Sequence, residues 1–433
     1  MAITTAEALR HMIHQQRHVA TLRLELGEES DLLALAREVG KLKSARSVVI
    51  GSEEDMTDMS EPNWMSTEAD ELFSALGRLQ LVEEIQLQDL GITFGPQGPR
   101  FPVALLTRLL RGNGNQLHPT LKRLGMGLRL VGNASEFQEL ADCLRLQKSL
   151  RRVSWEEWCF PTTDEGNDPA FFDINPIVSA LAALPKLDSL SIKAMTAGSR
   201  KANLGSLNES ALVELCQSPT LRQLQLAHFR LSSKAVRAAA VALRENKTMQ
   251  FLSLDLSKTG PSGALSLFDM LRYNQKLTDF QIWASTQPCW AKNHCLIHLA
   301  KALTENSSVK TLAVLTHSRT LAEAMKNLTV VDGAIARAFV QMLETNCTLE
   351  NLVLDDYGEE LARRGGQSYM SILQFYLALN RSKRRQHLLQ KYHTYTREDW
   401  TELLAMAIKS DREIRLEAVH YFLRLNPSLC QVN

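Results

Sequence analysis

The chain has no apolar run long enough to cross a membrane. Its opening residues, MAITTAEALRHMIH, carry Arg and His where a secretory leader needs an uninterrupted apolar stretch. An excess of one charge is also missing. Against 48 acidic residues stand 49 basic ones, a formal net charge of +1. No overall pull toward nucleic acid or an anionic membrane follows, and neither is expected as a partner. Cysteine is sparse and irregular. The seven residues Cys143, Cys159, Cys216, Cys289, Cys295, Cys347 and Cys430 show no paired spacing. That suits reduced thiols in a soluble cytoplasmic protein, with the nucleus as a second address.

Reaction-centre motifs are missing too. The chain contains no Gly-x-x-x-x-Gly-Lys-Ser/Thr, no His-Glu-x-x-His and no Gly-x-Ser-x-Gly. Gly125 and Gly127 fall inside a strand pattern, not on a strand-to-helix phosphate loop. Cys289, His294, Cys295 and His298 are of zinc-ligating type, but their spacing matches none of the tight two-Cys, two-His patterns. No catalytic residue, cofactor or metal is therefore expected, and the chain reads as a non-enzyme.

A repeat is what the chain does contain. Leu-x-x-Asn is followed at once by x-x-apolar at Leu243–Asn246 then Met249, Leu271–Asn274 then Leu277, Leu303–Asn306 then Val309, and Leu343–Asn346 then Leu349. After each junction comes apolar-x-x-apolar-x-apolar: Met249, Leu252, Leu254; Leu277, Phe280, Ile282; Val309, Leu312, Val314; Leu349, Leu352, Leu354. The same block traces back through Leu221, Leu224, Leu226 and six earlier sets to Val19, Leu22, Leu24, about eleven units spaced 26 to 40 residues apart. Between blocks the apolar spacing is helical, as in Ala235, Val236, Ala239, Ala240 and Leu243. Each unit is then one short strand plus one helix, and neighbours must stack to bury their apolar faces. A helix is about 10 Å wide and strands lie about 4.8 Å apart, so stacking bends the array with strands inside the curve.

These units resemble leucine-rich repeats of the long, helix-containing type, similar to the ribonuclease inhibitor family. The resemblance implies an α/β right-handed solenoid with a curved parallel sheet on its concave face. It covers residues 1–380, degenerate over 1–220 and most regular over 221–380. The family places Asn or Cys eight residues after the first apolar position. Here that slot holds residues such as Gly27, Leu90, Trp158, Phe229, Ser257 and Tyr357, so the family's side-chain ladder is not expected. Asn at the Leu-x-x-Asn junction reads instead as a left-handed helix-ending residue. Seven Asn-x-Ser/Thr sequons occur and are not read as glycan sites, since three of them, Asn246, Asn306 and Asn346, fall on these junctions, where Asn suits a helix end. Residues 381–433 read as a helical cap over the exposed end of the array.

Side chains alternate along a strand, so residues flanking the last two apolar positions face outward. Over the eighth to eleventh blocks these include Phe251, Asp255, Asp279, Gln281, Trp283, Thr311, Leu315 and Asp355. Aromatic anchors ringed by charge suit the centre of a protein interface. The acidic lean points to a partner with a basic or mixed-charge surface. Three loops, 156–173, 194–207 and 283–294, are candidates to extend that surface. The expected function is a monomeric scaffold that binds another protein. Alternatives from the same resemblance are a ribonuclease-inhibitor-like or Ran-type GTPase-activating regulator, or a substrate receptor in a ubiquitin ligase.

Overall fold

The structure is a computed structural model that describes residues 3, 5–14, 20–26, 30–42, 45–51, 66–88, 101–111, 119–127, 130–159, 173–196, 204–227, 229–284, 295–316, 332–354 and 367–381. The chain divides into two compact units, Met1–Arg230 and Leu231–Asn433.

The first unit runs α1 (Ala6–His14), β1 (Thr21–Glu25), α2 (Leu32–Val39), β2 (Ser47–Gly51), α3 (Thr67–Gly77), β3 (Glu84–Gln88), β4 (Phe101–Pro102), α4 (Val103–Arg111), β5 (Arg123–Gly127), β6 (Leu130–Val131), α5 (Ala134–Arg145), β7 (Arg152–Cys159), α6 (Asn175–Ala182), β8 (Ser189–Thr196), β9 (Leu204–Leu207), α7 (Glu209–Gln217) and β10 (Gln223–Ala227). Strand β11 (Phe229–Leu231) spans the boundary. The second unit continues with α8 (Ser233–Glu245), β12 (Phe251–Asp255), α9 (Pro261–Met270), β13 (Asp279–Ala284), α10 (Cys295–Glu305), β14 (Thr311–Thr316), α11 (Asp332–Thr345), β15 (Asn351–Leu354) and α12 (Gln367–Arg381).

In the first unit seven strands form a parallel sheet in the order β1-β2-β3-β5-β7-β8-β10. In the second, β12-β13-β14-β15 are parallel in sequence order. The last two apolar residues of every expected block lie within one of these strands. A parallel neighbour needs a crossover, and a helix supplies it. Burial alternates as the pattern requires: in β1, Leu22 and Leu24 are buried while Thr21 and Arg23 are exposed. The stripe Ala235, Val236, Ala239, Ala240 and Leu243 on α8 is buried, as are Ala264, Leu267 and Phe268 on α9.

Helix starts follow capping chemistry. The side chains of Asp31, Ser66, Asn208 and Ser232 each accept a hydrogen bond from the backbone N–H three residues on. Asn133 and Glu136 form a reciprocal capping box. Two sequon asparagines away from the junctions, Asn133 and Asn208, thus begin helices.

The junction asparagines act differently from the expectation. Asn246 has φ −69° and ψ 127°, an extended residue and not a left-handed one. Its Oδ1 accepts from the backbone N–H groups of Thr248 and Met249 at 2.8 and 2.7 Å. Asn274, Asn306 and Asn346 hold their own turns in the same way. Their Nδ2 groups reach back one repeat. Asn274 donates to the carbonyls of Leu243 and Asn246, Asn306 to those of Leu271 and Asn274, and Asn346 to those of Leu303 and Asn306. A side-chain ladder is therefore present, but on the helix-to-strand turn instead of the strand-to-helix turn. Carbonyls at a helix end have acceptor capacity to spare, and at the ends of α8, α9 and α10 the next repeat's Asn donates to them.

All three expected loops are partly strand, with Trp283 and Ala284 of the third in β13. β7 extends to Cys159, and β8 and β9 cover the ends of 194–207. Residues 160–172, 197–203 and 285–294 lie outside the described residues, as does the expected cap beyond Arg381.

Candidate functional site

Register places the sequence-selected residues of the second unit in three lateral rows on the sheet face turned away from the helices. Phe251, Asp279, Thr311 and Asn351 form the first row. Ser253, Gln281, Ala313 and Val353 form the second. Asp255, Trp283 and Leu315 form the third. Neighbours within a row are about 4.8 Å apart, and rows are separated by about 6.6 Å.

The centre of this face is built by one hydrogen bond. The Trp283 indole Nε1 donates to Ser253 Oγ at 2.9 Å. The ring therefore leans from β13 across to β12, and Ser253 is fully buried. Trp283 itself stays half-buried, with its polar handle satisfied. Phe251, Asp279, Gln281 and Thr311 are also half-buried. Asp279 accepts a 2.7 Å bond from the Thr278 hydroxyl. Asn351 is exposed, and Val353 is 45% exposed on the last strand.

Asp255 departs from the expected exposed acid. It is only 3% exposed, and its Oδ1 accepts from the Ser257 N–H at 2.8 Å. An aspartate folded onto the backbone two residues ahead stabilises a turn, and the acid faces the chain rather than solvent. Leu315 is placed beside Trp283 by backbone register, and its side chain is outside the described residues. Asp355 also lies outside them. The burial of Ser253 and Asp255 was not legible from alternation, since Trp283 from the adjacent strand bonds to the first and the second folds onto its own turn.

The zinc-type residues are not assembled by what is described. Cys289 and His294 lie outside the described residues. Cys295 is buried at the start of α10, and His298 one turn on sits 3.9 Å from Asp269. Burial and the Arg272 guanidinium push the His298 imidazole below its ordinary range. Among the described residues no group of three or more His, Cys, Asp or Glu converges as a metal site.

The thiols of Cys143, Cys216 and Cys295 are buried. Burial pushes Cys216 up to about 12 and Cys143 up to about 11. A raised value keeps the thiol neutral and unreactive at pH 8. Cys347 is half-exposed. A thiol-reactive chromogen at pH 8 is expected to label Cys347 within minutes and Cys216 only after denaturation. Fast labelling of Cys216 in the native protein would show that the helix-facing core opens readily.

No known family profile matches this chain, and no curated protein matches it. Among solved structures it is similar to leiomodin-1 actin-binding site 2 at 21% identity, covering 41% of this chain and 92% of that one, with a TM-score of 0.27. It is also similar to the tropomodulin C-terminal domain of Caenorhabditis elegans at 13% identity, covering 42% and 99%, with a TM-score of 0.31. Likenesses of this size carry no argument about what the chain binds, and the repeat assignment rests on its own strand–helix alternation.

Proposed function

We infer that this chain is a non-catalytic, leucine-rich-repeat-like scaffold that binds another protein on the open face of the second unit's sheet. The observation behind this reading is the Trp283–Ser253 hydrogen bond. It holds a large aromatic ring against the neighbouring strand while the residue stays half-buried. A pre-ordered aromatic loses little conformational entropy on binding, which is what an interface anchor requires. Phe251, Gln281, Thr311 and the exposed Val353 surround it with mixed apolar and polar surface. Asp279 supplies the acidic edge for a partner of basic or mixed charge. The reading includes a monomeric cytoplasmic protein that regulates no enzyme by itself.

Replacing Phe251 and Trp283 together with Ala tests the site. Both side chains are partly accessible, so far-UV circular dichroism should remain that of the parent. Recovery of bound proteins from an affinity purification is expected to fall at least tenfold. Equal recovery of every partner by parent and variant would sink the site. Ran-type GTPase and ribonuclease assays should proceed at unchanged rates when the protein is added. An altered rate in either would favour the regulator alternative.

A further inference from the structure

The first unit's sheet carries a second surface of opposite character. Just ahead of its strands, backbone hydrogen bonds line up Glu83, Lys122, Arg151, Asp188 and Arg222 in one lateral row. The next row is Glu84, Arg123, Arg152, Ser189 and Gln223. In the first row Lys122 pairs with Glu83 at 2.9 Å and Arg222 with Asp188 at 3.4 Å. In the second, Arg123 approaches Glu84 at 3.6 Å. These pairings leave Arg151, just ahead of β7, and Arg152, its first residue, both exposed and with no described carboxylate within ion-pair reach. Five cations therefore share three carboxylates across two rows.

The surroundings suit a ligand that lies flat. Along β7 the next outward side chain is the exposed hydroxyl of Ser154, and its neighbour on β5 is Gly125. A Cβ on Gly125 would meet Gln86 at an ordinary 3.5 Å, so glycine here leaves room above the sheet rather than relieving a clash. An unpaired guanidinium on a strand offers a planar fork that matches a carboxylate. Arg123 on β5 and Arg152 on β7 spring from neighbouring register positions about 4.8 Å apart along the backbone, the first engaged by Glu84 and the second not.

We propose that Arg151 and Arg152, with Arg123 and Lys122, form a docking seat for an acidic, Asp/Glu-rich segment of a protein partner. The seat lies in the first unit and is independent of the Trp283 face. Charge complementarity selects the occupant: the local surplus is positive, while the chain as a whole carries only +1 and attracts no polyanion indiscriminately.

The test uses the full chain and a fluorescein-labelled ten-residue peptide of alternating Glu and Gly, followed by fluorescence anisotropy. Arg151→Glu plus Arg152→Glu is the site variant. Arg37→Glu plus Arg78→Glu, at exposed positions on or beside α2 and α3, changes the net charge by the same amount elsewhere. The site variant should weaken peptide binding at least tenfold, and the control variant less than twofold. Half-molar salt should abolish binding by the parent. Equal weakening by both variants would show diffuse attraction and overturn the seat. Absence of parent binding at physiological salt would overturn it as well. Tighter binding of a fluorescein-labelled oligothymidylate of equal charge would replace the acidic peptide with nucleic acid and overturn the assignment of the occupant.

Discussion

Asn306→Ala is expected to lower the stability of the second unit by about 4 kcal/mol, read as a drop in urea midpoint at unchanged slope. Four hydrogen bonds to backbone groups converge on this buried side chain. Its Nδ2 donates to Leu271 O at 2.6 Å and Asn274 O at 3.0 Å, and its Oδ1 accepts from Ser308 N and Val309 N at 2.9 and 2.8 Å. Alanine leaves two backbone donors and the Leu271 carbonyl with no replacement in a region 3% exposed. The Asn274 carbonyl keeps a contact with Ser308 Oγ at 3.2 Å. Each buried group left unsatisfied costs about 1–3 kcal/mol, and three of them set the magnitude after partial rehydration. Asn306→Asp keeps the acceptor and removes the donor, so it should separate the two halves of the role. A loss below about 1 kcal/mol for Asn306→Ala would mean that water enters the turn and the ladder is not what ties adjacent repeats.

The second large effect is Phe280→Ala, expected to cost about 3–5 kcal/mol. Phe280 is fully buried in the middle of the inward row Leu252, Phe280, Leu312, Leu352. It has strands on both sides and helices beneath, so the walls cannot collapse into the space that the ring vacates. Leu352 occupies the same position on β15, the last strand of the row, and is only half-buried. Leu352→Ala should therefore cost less than half as much. Equal costs at the two positions would contradict the picture of a core that weakens toward the end of the row, which nearest-neighbour stacking requires.

Much of this was legible in the residues. The apolar triplets marked strands because period-two alternation and short length leave little else that buries one face. The helix stripes were equally plain. The junction Asn was found at the right positions but given the wrong conformation, because its partners lie one repeat back. A ladder between carbonyls some thirty residues away has no local signature. Trp283 was selected as an outward residue, and it is one. Its bond to Ser253, and the withdrawal of Asp255 from solvent, depend on which strand sits beside which in which register. The surplus at Arg151–Arg152 is hidden for the same reason, since a chain of +1 masks a local excess until rows align.

By itself the sequence determined the alternation of strand and helix, the phase of the inward apolar side chains and the recurring Asn. Those are consequences of backbone periodicity and of solvent, which act residue by residue. Only the tertiary structure decided which charges are neutralised, which aromatic is pinned and which carbonyls the asparagines satisfy. Each of those is a relation between neighbouring repeats, set by lateral register at strand spacing, and register exists only once the repeats have stacked.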